Sequence, residues 1–288
     1  MLHSLELELI RFIQRFRNPI LDEFFTWLDL FDRPIFFLIL IPAVWLIYGS
    51  KIGARLFYLL MSSAFINHAL KRLFLFPRPF DLDPSVGIIY VDGYGFPSGA
   101  AQTVILLSAL FLSSGRSNGR YFLVFSYIFL VSFSRVYLGL HFPSDILGGF
   151  LVGLALWTFY KHVCPLLENL RPGVLFLISQ LVIIPLLFYD ASYILIYICN
   201  IGIATGLLIS CYCKLPWHPP RGYKECILRT GIGMFGAFFC FGLGSILSIS
   251  YSKISFFVGT FLLGLWISLG APFICSKIFR TPREIKNA

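Results

Sequence analysis

RYFLVFSYIFLVSFSRVYLGLHFPSDILGGFLVGLALWTFYKHV, residues 120–163, is the stretch on which the fold turns. It holds two apolar runs, 120–138 and 144–163. Each approaches the roughly 17–25 residues that a helix needs to cross a hydrocarbon core about 30 Å thick. The break between them is polar and crowded, with Arg135, His141 and Asp145 close together. Pro143 suits the first turn of a helix, where its missing N–H goes unused, so Asp145 falls in that turn four residues after His141. Two membrane helices joined by a turn of ionisable residues is the pattern to be explained.

Working outward, seven more apolar stretches follow the same rule, at 34–50, 53–74, 99–114, 173–189, 191–213, 227–249 and 254–275. The predicted class is therefore all-α: a polytopic membrane helical bundle of about nine spans. The composition agrees, since 58% of the 288 residues are hydrophobic and 13% charged, with mean hydropathy +0.82. A soluble domain carries about 45–50% and about 25%. Disordered chains, secreted disulfide scaffolds and water-soluble enzymes are excluded. The seven cysteines, at 164, 199, 211, 213, 226, 240 and 275, show no metal-ligand spacing and read as buried thiols.

Residues 1–33 lack the basic start and continuous apolar stretch of a signal peptide. Leu7, Ile10, Phe12, Ile13 and Phe16 recur at helical spacing against Glu6, Glu8, Arg11 and Arg15. An interfacial amphipathic helix and a helix packed within the fold explain this equally well. The chain accordingly divides into an amphipathic segment at 1–33, a transmembrane core at 34–165 that holds the unexplained polar groups, and further spans of unassigned role at 166–288.

The formal charge of +9 would suggest nucleic acid in a soluble protein. Here it reports topology, and no nucleic-acid partner is expected. Nine crossings would put Lys51, Arg55, Arg116, Arg120, Lys161, Arg171, Lys214, Arg221, Lys224, Arg229, Lys277, Arg280, Arg283 and Lys286 on one side. Only Glu168, Glu225 and Glu284 accompany them there, while the other side holds nine bases and eleven acids. Cytoplasmic loops carry the excess of Lys and Arg, so the N-terminus lies outside. The break at Asp190 is the weakest point of this count.

Three polar clusters fall at span ends on the external side. In KRLFLFPRP, 71–79, Pro77 and Pro79 hold Arg78 in an extended, stiff segment, and Lys71 ends a span. Either base could snorkel to lipid head groups. In GFPSGA, 95–100, Ser98 is a natural N-cap, and Gly99 lets an anion approach the free N–H groups of the next helix. In SRVYLGLHFPSD, 134–145, Asp145 can hold one nitrogen of His141 and leave the other free to attack, and Arg135 is costly to leave unpaired so near the membrane. Together these groups form a cationic cradle beside a nucleophile. That suits phosphoryl transfer through a phosphohistidine, with no metal or cofactor required.

The order Lys71 to Arg78-Pro79, then Pro97-Ser98-Gly99, then Ser134-Arg135, His141 and Asp145 resembles the three-part signature of the type 2 phosphatidic acid phosphatase superfamily. The resemblance covers about residues 60–150. It implies that His141 is the nucleophile, that Asp145 orients it, and that Lys71, Arg78, Ser98, Gly99 and Arg135 hold phosphate. The substrate implied is a membrane lipid phosphate, presented from the bilayer. The location expected is a bacterial inner membrane with the site facing the periplasm, and a eukaryotic endomembrane with a luminal site is the second choice.

One position departs from that signature. Where the family has the histidine that protonates the leaving oxygen, this chain has Ala100, and alanine can carry no proton. His68, one helical turn before Lys71, is the nearest imidazole but a poor substitute. Three explanations stand open: a His→Ala change that silences an otherwise complete site, specialisation for diphosphates whose leaving group needs less help, and an inactive protein that binds lipid. The first is favoured because Gly95–Gly99 and Ala101-Gln102 show no other decay. A lipid phosphotransferase and a non-catalytic phospholipid-binding or transport protein are the competing functional readings.

Overall fold

The computed structural model describes residues 2–115, 117–168, 170–189, 194–250 and 253–279. Among them every regular element is helical. The helices are α1 (Leu2–Gln14), α2 (Pro19–Leu28), α3 (Pro34–Tyr48), α4 (Ser50–Phe74), the short α5 (Pro79–Leu82), α6 (Gly99–Ser113), α7 (Asn118–Tyr137), α8 (Pro143–Glu168), α9 (Pro172–Tyr189), α10 (Ile194–Tyr212), α11 (Tyr223–Ser250), α12 (Lys253–Leu265) and α13 (Ala271–Ile278). Turns of 3-10 helix cover Asp29–Asp32 and Pro84–Val86, and a π turn, Trp266–Gly270, joins α12 to α13.

Four helical stretches are long and apolar enough to cross a membrane: Pro143–Leu167, Ile194–Tyr212, Tyr223–Leu243 and Phe256–Ile278. A fifth arises if Pro19–Asp32 and Pro34–Tyr48, bent by 54°, count as one broken span. The protein is thus an all-helical integral membrane protein, with four to five clear spans among the described residues against the nine expected. The physical reason lies partly in the polar residues themselves. At 25 and 20 residues α4 and α7 have the length, but they carry Arg55, Ser63, Asn67 and His68, and Arg120, Ser132, Ser134 and Arg135. α3 and α6 have 15 residues each. Arg116, Asp190, Arg280, Arg283, Glu284 and Lys286 of the charge count lie outside the described residues.

The chain forms two compact units. The first, Met1–Phe36 with Leu59–Val163, contains every polar cluster singled out above. Its α1 meets both expectations in part. Ile10 is wholly buried, and Leu7 and Ile13 pack with it against Val86, Phe142 and Ile146. Leu5, Leu9 and Phe12 on the same helix stay exposed, as does Phe16 just beyond it, which leaves an apolar edge free. Polar ties pin the docked edge. Arg11 reaches Asp83 at 2.6 Å, and the Gln14 amide donates to the carbonyls of Val86 at 2.8 Å and Tyr137 at 2.7 Å. A half-buried amide that satisfies two carbonyls at once fixes the helix in register as well as in place.

The second unit, Phe37–Tyr58 with Cys164–Ala288, packs through small residues. Gly202 of α10 lies against the backbone of Phe261, and Gly264 of α12 against that of Cys199, so neither position has room for a Cβ. Arg229 is buried there and satisfied by Glu225 and by the carbonyls of Leu46 at 3.1 Å and His218 at 2.8 Å. The seven thiols are all free, but only Cys275 is buried; Cys211 and Cys213 are exposed, where α10 ends at Tyr212 and the apolar run gives way to a polar loop.

Candidate active site

The turn after α7 is set by Gly139, whose φ of +71° is a left-handed conformation that suits glycine. A Cβ there would strike the Val86 carbonyl. The chain then folds back so that the N–H groups of Leu140 and His141 both donate to the Arg135 carbonyl, at 3.0 and 3.3 Å. Phe142 is wholly buried, and burial of such a ring contributes about 2 kcal/mol. Pro143 opens α8 and Asp145 falls in its first turn, where the carboxylate accepts the Phe142 N–H at 2.8 Å. This is the acceptor half of a capping box, and it fixes the carboxylate whether or not it touches the imidazole.

His141 is buried, with Nδ1 3.4 Å from Asp145 Oδ2 and Nε2 3.4 Å from Arg78 Nη1. Both approaches are looser than a hydrogen bond between such groups, which is common before substrate tightens a site. With the proton on Nδ1, facing the carboxylate, the Nε2 lone pair is left for attack. Burial, and after it the charges of Lys71, Arg78 and Arg135, pushes the imidazole well below its ordinary range; the Gly95 carbonyl opposes this. The surroundings of His141 therefore favour its neutral form.

Arg78 is extended, with φ −85° and ψ 164°, as the flanking prolines predict. Its guanidinium donates to the carbonyls of Gly93 at 2.7 Å, Leu140 at 3.0 Å and Asp92 at 3.4 Å. Lys71 donates to the carbonyls of Tyr94 and, at 3.4 Å, Gly95. Both bases thus brace the 92–95 segment while facing His141. Ser98 is wholly buried and caps α6 through Ala101 N–H, and its own N–H donates to the Asp145 carbonyl at 2.9 Å. Gly99 follows as the first helical residue. Arg135 is almost wholly buried and bonds to Asp29 and to the Leu28 carbonyl at 3.2 Å, while its Nε has no partner. Such an orphaned buried donor suits an arriving phosphate oxygen.

Several supporting residues escaped the sequence reading. Asn67 donates to the Pro97 carbonyl and to Gln102, each at 3.1 Å, and Gln102 donates to Ser63 Oγ at 2.7 Å. Glu6 accepts the Ser144 N–H at 2.7 Å and its hydroxyl at 3.0 Å, so α1 supplies the acid at the start of α8. Asp29 and Asp32, three residues apart in an apolar segment, were the one legible signal for a partner of Arg135. Ala100 is 2% exposed and forms a buried cluster with Val104 and Val131, against which Phe31, Tyr127, Ile128 and Phe150 pack. Among the described residues no group of three or more His, Cys, Asp or Glu could hold a metal ion.

Residues 52–167 match the PAP2 superfamily. Phosphatidylglycerophosphatase B of Bacillus subtilis is 30% identical over 158 residues, which cover 50% of this chain and 76% of that one. The chain belongs to the PAP2 superfamily. A probable sphingosine-1-phosphate phosphatase of Dictyostelium discoideum is 26% identical over 162 residues, or 52% of this chain, and the match spans 40% of that protein's length. Among solved structures, a transmembrane PAP2 type phosphatidylglycerolphosphate phosphatase from Bacillus subtilis aligns with TM-score 0.50 and 25% identity, over 59% of this chain and 89% of that one. The PAP2 match takes in Lys71, Arg78, Ser98, Gly99, Ala100, Arg135, His141 and Asp145, whereas Glu6 and Asp29 lie ahead of it.

Proposed function

We propose that this chain is an integral membrane phosphatase that hydrolyses a lipid mono- or diphosphate through a phosphohistidine at the external membrane face, weakened at the leaving-group step by Ala100. The observation that carries the reading is the placement of His141 between Asp145 at Nδ1 and Arg78 at Nε2. In the reaction Nε2 attacks phosphorus, and Lys71, Arg78 and Arg135 neutralise the equatorial oxygens. Ser98 and the N-terminus of α6 at Gly99 add neutral donors. Leu73, Phe74, Leu75, Phe76 and Tyr94 are exposed beside the cradle and form an apolar rim, which supports a substrate whose tail stays in lipid. The names of the PAP2 relatives, which are lipid phosphatases, support the same class. The location proposed is a bacterial inner membrane with the site facing the periplasm.

Ala100, sealed among apolar side chains, favours one second reading, in which the cradle binds a phosphorylated lipid or passes its phosphoryl group to another lipid. The test is phosphate release from a panel of lipid mono- and diphosphates by the unaltered chain and by His141→Ala. Release by the first and none by the second is expected. Equal release by both would remove the phosphohistidine, and lipid binding without release would leave the second reading in its place.

A further inference from the structure

One edge of α1 leans on the segment that carries His141 and Asp145, through residues spaced as successive turns of a helix. His3 stacks on Phe142, with ring centroids 4.5 Å apart, and meets Phe76 edge-on at 6.0 Å. Ile10 is wholly buried in the cluster that holds Phe142 and Ile146. Between them Glu6 accepts the Ser144 N–H on one oxygen at 2.7 Å and the Ser144 hydroxyl on the other at 3.0 Å. Glu6 is only 9% exposed, and its carboxylate also meets His3 Nδ1 at 3.2 Å. A carboxylate held so far from water is costly unless hydrogen-bonded, and Ser144 supplies two of its donors. The Ser144 N–H in turn belongs to the first turn of α8, whose donors have no partner within the helix. Ser144 stands directly before Asp145, whose Oδ2 takes the Phe142 N–H at 2.8 Å and faces His141 Nδ1 at 3.4 Å.

We propose that Glu6 is a positioning residue for the reaction: its grip on Ser144 holds the first turn of α8 so that the Asp145 carboxylate stays aligned with His141. This rests on the phosphatase reading above, in which Glu6 touches neither substrate nor reacting atom. A charge-assisted hydrogen bond between imidazole and carboxylate runs at about 2.7–2.9 Å, so the 3.4 Å gap closes by about half an ångström when phosphorus bonds to the imidazole. The carboxylate is not free to swing, because the same Oδ2 is tied to the Phe142 N–H, so the imidazole comes to it. That requires Asp145 to keep its place. Three anchors set it: the Phe142 N–H on its carboxylate, the Ser98 N–H on its carbonyl at 2.9 Å, and Glu6 on its neighbour. The first two lie within the residues that match the PAP2 superfamily, and Glu6 lies ahead of them. Without Glu6 the Ser144 donors turn to water and the turn can tilt about the anchors that remain. A misplacement of about 1 Å costs on the order of a hundredfold in rate. Lys71, Arg78 and Arg135 keep their own partners, so the loss falls on kcat rather than on KM.

The experiment follows phosphate release from nitrophenyl phosphate, whose leaving group needs no proton, and from a short-chain phosphatidic acid, in detergent micelles at one pH. The unaltered chain is compared with Glu6→Ala, Glu6→Gln and Arg11→Ala. Single-turnover rate constants with enzyme in saturating excess do not depend on how much of a preparation is folded, and KM comes from steady state. Glu6→Ala should lower the rate constant by about 10–100-fold and leave KM within about twofold. Glu6→Gln should restore most of the rate, since its carbonyl accepts the Ser144 N–H and its amide can donate to the hydroxyl. Arg11→Ala cuts the exposed tie of α1 to Asp83 without touching Phe142 or Ser144, and should stay within about threefold of the unaltered chain. Should Glu6→Ala fail to fold, Glu6→Asp takes its place: it keeps the charge but falls one methylene short of Ser144, and the same loss is expected. A rate constant for the shortened variant within about threefold of the unaltered chain overturns the proposal. So does an equal loss in Arg11→Ala, which would make the seating of α1 as a whole the cause, or an equal loss in Glu6→Gln, which keeps the hydrogen bonds. Each of these leaves the phosphatase reading intact. No release from either ester by the unaltered chain overturns both.

Discussion

Replacing Asp29 with alanine would remove the principal partner of a buried arginine. The Arg135 and Asp29 side chains are 2% and 8% exposed, so little water is at hand to solvate the charge left behind. Breaking a buried ion pair costs about 3–5 kcal/mol. The Leu28 carbonyl remains at 3.2 Å and Asp32 stands 3.9 Å away, which places the loss near the lower end, about 3 kcal/mol. That is roughly a hundredfold in the unfolding equilibrium. Asp29 also pairs with Arg33 at 2.7 Å, but the Arg33 side chain is 56% exposed, so Arg33→Ala should cost no more than about 1 kcal/mol. Asp29→Ala removes both pairs, whereas Arg33→Ala removes only the exposed one and leaves Asp29 on Arg135. Reversible unfolding of the purified protein in mixed micelles, followed for wild type, Asp29→Ala, Asp29→Asn and Arg33→Ala, measures the difference. The asparagine variant should fall between, since it keeps an acceptor oxygen without the charge. If Asp29→Ala costs less than about 1 kcal/mol, no more than the exposed control, the buried pair does not hold the 3-10 turn against α7 and the reasoning fails.

Gly139→Ala should destabilise the protein by about 2–4 kcal/mol, from the left-handed backbone and the blocked Val86 carbonyl together, and should lower kcat more than it raises KM because it displaces the His141 turn; melting and steady-state kinetics check both. The depressed His141 imidazole gives a pH dependence with a definite sign. Below the unfolded value of about 6.5 the unfolded chain binds a proton that the folded chain refuses, so stability is full above about 6.5 and falls on acidification towards the folded pKa. His141→Asn should flatten that slope, and an unchanged slope would show that the imidazole is not buried neutral.

The site was more legible than the bundle around it. Pro77, Pro79 and Pro143 constrain their neighbours through covalent geometry alone, so the extended backbone of Arg78 and the start of α8 could be read within a few residues. The partners of the cradle could not, since Arg135 and Asp29 lie 106 residues apart and Ser144 and Glu6 lie 138 apart. Nothing local in the sequence marks such pairs. The span count suffered from a related cause, because Asn67 and Arg135, which belong to the polar site, and Ser134 beside it dilute the hydrophobicity of α4 and α7. The edge of α1 was undecided between lipid and protein since Ile10 and Phe12 look alike in sequence, and only packing separates them.

The docking of α1 also bears on the order in which the molecule can be made. Its anchors, Asp83, Val86, Tyr137 and Ser144, all leave the ribosome long after the helix itself. During synthesis the helix must therefore wait, and its free apolar edge can rest on the membrane surface while it does. Closing so long a loop is slow compared with local helix formation, so assembly of the surroundings of His141 becomes a late event. Until then neither Arg11 nor Glu6 has its partner, and the nascent chain carries His141 and Asp145 in an incomplete setting.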